Sequence, residues 1–178
     1  MSLEIVLGPM FSGKSTYAIS YVRRQTAIGK KVLVIKPDID NRYSHKGVLV
    51  THNKEETPCR LWRTETPLTL NDEMREADCI VFEEAQFLKN LKNTVMYLLR
   101  PYKKDVLIIG LDGDAHQKPF GEVLDCVPWA YNVSKLCALC NPCCDGTEAP
   151  YTKKLKNDDQ QVDVGGAEKY QAVCLKHL

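Results

Sequence analysis

Three groups of residues in this chain carry chemistry by type and spacing. The first is Gly8-Pro9-Met10-Phe11-Ser12-Gly13-Lys14-Ser15-Thr16, which fits the G-x-x-x-x-G-K-[ST] pattern of a phosphate-binding loop. Its glycines let the backbone turn N–H groups inward around phosphate oxygens, and a following helix aims its N-terminal dipole at the same anions. Lys14 is then placed to reach the β/γ-phosphates and Ser15 to hold Mg²⁺. The second group is the pair Glu83-Glu84, at the end of the apolar run Cys79-Ile80-Val81-Phe82. P-loop enzymes hold their metal with a carboxylate at the carboxyl end of such a strand. Two acids side by side let one orient Mg²⁺ or its water while the other takes a proton from a substrate hydroxyl. The plain alternative is an acidic helix N-terminus. The third group is Cys140-Asn141-Pro142-Cys143 and Cys174-Leu175-Lys176-His177, two C-x-x-[CH] knuckles at a separation suited to tetrahedral Zn²⁺. Four protein ligands close the shell, so this metal would be structural. Cys137 and Cys144 stand nearby as substitutes for a ligand place.

The elements around these groups are short and apolar. Leu3 to Leu7 reads as a buried strand feeding the phosphate loop, and Thr16 to Arg24 as an amphipathic helix leaving it. Gly29-Lys30-Lys31 ends that helix before a second strand, Val32 to Ile35. Residues 37–60 are too polar and irregular for a continuous element. A long polar loop is more often functional than filler, and Asp40 and Arg42 within it are candidates for nucleotide or phosphate contacts. As a lone charge, each is more often solvated surface than a ligand contact. Asn71 caps a short helical stretch, residues 88–100 have helical periodicity closed by Pro101, and Asp105 to Leu111 is a fourth strand. The turn-rich segment 112–121 then lies at a strand's carboxyl end, where open α/β sheets bind ligands. Val123, Leu124 and Val127 suggest a short helix ended by Pro128, with a further strand within 130–136.

This order predicts an α/β fold: a P-loop NTPase-like parallel sheet flanked by helices over residues 1–136, then a small zinc-ribbon or lasso lobe over 137–178. The lobe is too small for a large core, so metal would supply much of its folding free energy. Within it, Gly165-Gly166 allow close backbone approach to a ligand.

Charge narrows the partners. With 24 basic and 23 acidic residues the net charge is +1, which draws the chain to neither nucleic acid nor a membrane surface and favours a small-molecule partner. There is no basic n-region and no apolar stretch approaching the length of a membrane span, so a soluble, cytoplasmic protein is expected. In that reducing setting the eight cysteines point to metal or free thiols before disulfides.

The blocks G-P-M-F-S-G-K-S-T at 8–16, D-N-R-Y at 40–43, E-E-A-Q-F at 83–87, L-D-G at 111–113 and K-P-F-G at 118–121 recur in one known family. So do Y-T-K at 151–153, G-G-A-E-K-Y at 165–170 and the two knuckles. Over nearly its whole length the chain resembles a type II thymidine kinase, the cellular and poxvirus-like class. The resemblance implies ATP-dependent phosphoryl transfer to the 5′-hydroxyl of deoxythymidine, giving dTMP, in a homotetramer. It implies Glu84 as the proton acceptor and Glu83 as the Walker B acid, with residues 8–16, Asp40 and Arg42 on ATP and Mg²⁺. It implies a nucleoside pocket walled by Met10, Phe87, Leu111, Phe120, Thr152 and Tyr170. The lasso segment Gln161, Val162, Asp163, Val164 and Gly165 would offer its backbone to the thymine edge, and Cys140, Cys143, Cys174 and His177 would bind zinc.

Three positions depart from that family. Glu83 replaces the usual aspartate, and its extra methylene favours contact with the metal through water. Ala115 stands where animal and poxvirus members carry a base-packing phenylalanine, which loosens selection between thymine and uracil. Asp163 occupies a lasso place that is commonly apolar. Two other functions remain open on sequence grounds: a P-loop ATPase or nucleotide switch whose zinc ribbon binds nucleic acid or a protein partner, and a kinase for a different pyrimidine nucleoside.

Overall fold

The computed structural model describes residues 1–39, 47–50, 54–156 and 160–178; the whole D-N-R-Y block at 40–43, Asp40 and Arg42 included, lies outside the described residues. The chain runs β1 (Ser2–Leu7), α1 (Lys14–Ala27), β2 (Val32–Pro37), β3 (Val48–Val50), β4 (Glu56–Pro58), β5 (Arg60–Trp62), α2 (Asp72–Glu76) and β6 (Cys79–Phe82). It continues through α3 (Leu91–Leu99), β7 (Asp105–Gly110), β8 (Asn132–Lys135), β9 (Ala138–Leu139), β10 (Glu148–Ala149), β11 (Tyr151–Lys154) and β12 (Tyr170–Val173). Six strands form a wholly parallel sheet in the order β5-β2-β6-β7-β1-β8.

Both faces of this sheet are covered, which is why its central strands read as continuous apolar runs. One face buries Ile5, Phe82 and Ile108 under Leu91, Val95 and Leu98 of α3. The other buries Val6, Val81 and Leu107 under Ala18, Ile19 and Tyr21 of α1. The α2 cap forms as its sequence predicts, with Asn71 Oδ1 accepting from the Met74 N–H at 2.9 Å. The parallel order brings the carboxyl ends of β6, β7 and β1 side by side. The phosphate loop after β1 and the acids after β6 therefore face each other across the end of β7.

Three local expectations are corrected. The irregular region 37–60 carries a β3–β4 hairpin and the start of β5, an edge strand paired with β2. The 3₁₀ segment Leu124–Trp129 runs through Pro128 instead of stopping at it, because its tighter turn asks less of the proline nitrogen. Residues 88–90 precede α3, and Asn90 enters it with φ 63°. Beyond the sheet, the β9–β10 and β11–β12 hairpins pack Ala138, Ala149, Ala172 and Val173 into a small separate core. Among the described residues no helix is long and apolar enough to cross a membrane.

At the opposite end of β7, Asp105 accepts from Ser2 Oγ at 2.8 Å and pairs with Lys30 at 2.8 Å, fastening β1, β7 and the turn after α1. Burial opposes its charge, but these bonds hold the carboxyl down to about 2. A depressed folded-state value stabilises the fold above the usual carboxylate pKa and loses that contribution as pH falls toward 2. Asp105→Asn should therefore cost about 1–2 kcal/mol at pH 7 and little at pH 2. Denaturant melts at the two pH values measure the difference.

Candidate active site

The phosphate loop takes its shape from residues in the left-handed region. Gly8 has φ +149°, and a Cβ there would lie 2.6 Å from the Leu136 carbonyl oxygen; Gly13 has φ +84° and caps α1. Across the loop, Ser12 Oγ and Lys14 Nζ both donate to the Pro9 carbonyl, at 2.8 and 2.7 Å. Lys14 is 7% exposed. Burial lowers its pKa, and the nearby charges of Glu84, Glu83 and Asp112 pull it back up. Phe11 and Thr16 are exposed and, with Gly13, Lys14 and Ser15, line an open pocket at the loop.

Glu83 follows β6 directly and is 2% exposed. Its Oε1 accepts from Ser15 Oγ at 2.6 Å, and its Oε2 is buried without a hydrogen-bond partner among the described residues. Burial, then the charge of Glu84, pushes its carboxyl up to about 7, against the pull of Lys36, Ser15 and Lys14. An unpartnered buried carboxylate oxygen beside the loop's hydroxyl is what a hard divalent cation requires, so Ser15 and Glu83 together fit Mg²⁺. Glu84 turns away at φ 50°, ψ 43° and lines a neighbouring cavity. The acidic helix N-terminus expected as the alternative does not form: only the short 3₁₀ turn Ala85–Phe87 follows.

That cavity collects Met10, Phe87, Leu111, Ala115, Phe120, Thr152 and Tyr170 from the predicted pocket, and Gln161, Asp163, Val164 and Gly165 from the lasso. Phe87 and Phe120 meet edge to face, their centroids 5.2 Å apart. Val162 is the exception: it is 44% exposed and does not line the cavity. Met10 belongs to both sites, and its backbone N–H donates to Thr152 Oγ1 of β11 at 3.0 Å.

The lasso is held by side chains. Gln161 Nε2 donates to Asp114 Oδ2 at 2.7 Å, and Tyr170 OH to the Asp163 carbonyl at 2.6 Å. The Asp163 carboxylate pairs with Lys169 at 2.5 Å and Lys154 at 3.1 Å, whose hydrogen bonds hold its pKa below the ordinary range. An aspartate in this commonly apolar place thus points into an ionic clasp. Gly165 makes room for it: a Cβ there would lie 2.4 Å from Lys169 Cδ, so the close approach is by a lysine stem. Asp163→Asn should raise the KM for the pocket's substrate several-fold with a smaller change in kcat, and wild-type KM should rise with salt while the variant's does not. Initial-rate kinetics at two ionic strengths measure both.

Cys140, Cys143, Cys174 and His177 bring their ligand atoms within 4.8 Å of one another. The Cys143–Cys174 sulfur separation is 3.7 Å, and His177 Nδ1 lies 3.4 to 3.6 Å from the three sulfurs. These match the tetrahedral edges of about 3.5–3.8 Å set by Zn–S near 2.3 Å and Zn–N near 2.0–2.1 Å. The Cys174 N–H donates to Cys140 Sγ at 3.3 Å. Burial would raise the Cys140 thiol, but the Cys174 and Cys143 amides and thiols bring it down to about 6. The set fits zinc. Cys137 and Cys144 are exposed and stand outside it.

Three residues of the site escaped the sequence reading. Lys36, the last residue but one of β2, is buried beside Glu83, whose N–H donates to the Ile35 carbonyl; a lone lysine following V-L-V-I was its signal. Asp114 is buried under Gln161 and the N–H groups of His116 and Lys118. Gln86 bridges Glu84 and the end of β7.

Fold and site together define a P-loop NTPase-like α/β protein with a second pocket closed by a Cys₃His-bearing lobe. Comparison with known proteins narrows this class. A family model described as thymidine kinase matches residues 1–178, and the chain belongs to the thymidine kinase family. It is 34% identical over 181 residues to thymidine kinase a of Arabidopsis thaliana, covering 99% of this chain and 74% of that protein. The thymidine kinase of Yaba monkey tumor virus is 36% identical, covering 97% of this chain and 91% of the viral one. The cytosolic thymidine kinase of Homo sapiens is 37% identical, covering 97% and 70%.

Proposed function

We propose that the chain transfers the γ-phosphoryl group of ATP to the 5′-hydroxyl of deoxythymidine, releasing ADP and dTMP. The observation that carries this is the position of Glu84, between the Ser15–Glu83 pair and an apolar cavity closed by the lasso. In this reading the backbone of residues 8–16 and Lys14 cradle the phosphates, and Ser15 and Glu83 would hold Mg²⁺, which when bound would neutralise charge on them. Glu84 accepts the hydroxyl proton as the 5′-oxygen bonds to the γ-phosphorus and the bond to the leaving ADP oxygen breaks. Positioning and electrostatics supply most of the rate.

Met10, Leu111, Phe87, Phe120 and Val164 would enclose the base, while the lasso backbone reads its edge. An apolar wall favours a thymine methyl by only about 1–3 kcal/mol. Zinc on the closed Cys₃His set is structural and catalyses nothing. The same reading divides the chain into a nucleotide-binding domain at 1–136 and a zinc-binding lasso lobe at 137–178, acting as a cytoplasmic homotetramer.

ATP consumption measured with thymidine, deoxyuridine, deoxycytidine, DNA and RNA tests the proposal. Stimulation by thymidine with formation of dTMP is expected. No nucleoside effect, together with stimulation by nucleic acid that falls steeply with salt, would overturn it in favour of a nucleic-acid-dependent ATPase.

A further inference from the structure

Gln86 is 4% exposed, and both ends of its side-chain amide are engaged. One end lies 3.1 Å from the backbone nitrogen of Leu111, just past β7. A backbone N–H can only donate, so that end is the oxygen. The amide nitrogen therefore faces Glu84 and donates to its Oε2 at 2.5 Å. The orientation is fixed by a partner that has no alternative role.

Two glycines leave room for this residue, Gly110 for its side chain and Gly121 for its backbone. A Cβ on Gly110 would lie 2.7 Å from Gln86 Oε1, and one on Gly121 would lie 2.3 Å from the Gln86 carbonyl oxygen. Glu84, by contrast, sits in the left-handed region at φ 50°, outside any regular element that would orient it. A non-glycine residue in that region is held by its surroundings, and among the described residues the hydrogen bond to its carboxylate comes from Gln86.

We infer that Gln86 is a positioning residue for phosphoryl transfer, clamping one oxygen of Glu84 so that the other faces the nucleoside hydroxyl. The inference rests on the reading of Glu84 as proton acceptor. Leucine at this position would leave the Leu111 N–H and Glu84 unpaired, and glutamate would set a second carboxylate against Glu84. In either variant the base is present but free to swing, and a misplacement of about 1 Å costs on the order of 10²-fold in rate.

Steady-state kinetics with MgATP and thymidine, on variants confirmed as folded by thermal melting, test this. Gln86→Leu and Gln86→Glu should lose about 10²-fold in kcat with the KM for ATP within about threefold of wild type. Gly110→Ala, which crowds Oε1 without touching Glu84, should lose about tenfold. The decisive arm is the double variant Glu84→Gln/Gln86→Leu, which should be no slower than Glu84→Gln alone, because a residue acting through Glu84 has nothing left to position. Any one of the three single variants that folds suffices for the first comparison. Wild-type kcat in the folded variants, or a further independent loss in the double variant, overturns the inference and leaves Glu84 as base. Near-wild-type kcat in Glu84→Gln removes that base and the inference with it.

Discussion

Glu84→Gln is expected to lower kcat by about 10²–10⁴-fold, with the KM for ATP nearly unchanged. The amide matches the carboxylate in size and cannot accept the hydroxyl proton. Gln86 keeps its orientation, and its Nε2 can still donate to the oxygen of the new amide at position 84. ATP affinity should survive because the phosphate loop is built from Gly8, Gly13, Lys14 and Ser15 after β1, and none of these leans on Glu84 for its conformation. Single-turnover measurement of dTMP formation, alongside nucleotide binding, separates the two quantities. A variant that keeps near-normal kcat would remove Glu84 from the chemistry.

The second large effect concerns the metal lobe. Its own core is little more than Ala138, Ala149, Ala172 and Val173, whereas structural zinc in small domains contributes about 10–16 kcal/mol of apparent binding free energy at neutral pH. Removing zinc with a chelator, or replacing Cys143 by alanine, should therefore unfold the lobe. β11 and β12 carry Thr152 and Tyr170 into the cavity proposed for the nucleoside, so thymidine binding should be lost with it. ATP binding at residues 8–16 should persist, weakened only by loss of the Met10–Thr152 contact. Elemental analysis of unchelated protein should give one zinc per chain, and finding none would count against the assignment. Calorimetric titration of each substrate into chelated protein checks the asymmetry.

The sequence is legible wherever a signal is local. β1, β6 and β7 are apolar runs because helices cover both faces of the sheet, and the P-loop and knuckles are patterns of adjacent residues whose geometry travels with the spacing. Strands β3 to β5 are three residues each, too short to form a run, and they form through pairing, β3 with β4 in a hairpin and β5 with β2. Pro128 misled because a proline stops an α-helix more firmly than a 3₁₀ turn. The placement of Lys36 and Gln86 was hidden for a related reason. Each acts across strands, Lys36 from β2 toward Glu83 and Gln86 from the turn after β6 to the end of β7, and the order β2-β6-β7 is a property of the sheet. The clasp at Asp163 depends likewise on Lys154 and Lys169 from opposite sides of the lasso.

The bond from the Met10 amide to Thr152 Oγ1 joins the phosphate loop to β11 of the lobe beside the cavity proposed for the nucleoside. A displacement of that peptide on binding a triphosphate would pull on β11, and a tightening of the lasso would pull back. The affinities of the two proposed substrates would then not be independent quantities. By linkage, the factor by which one improves binding of the other must be identical in both directions, and Thr152→Val should bring that factor toward one.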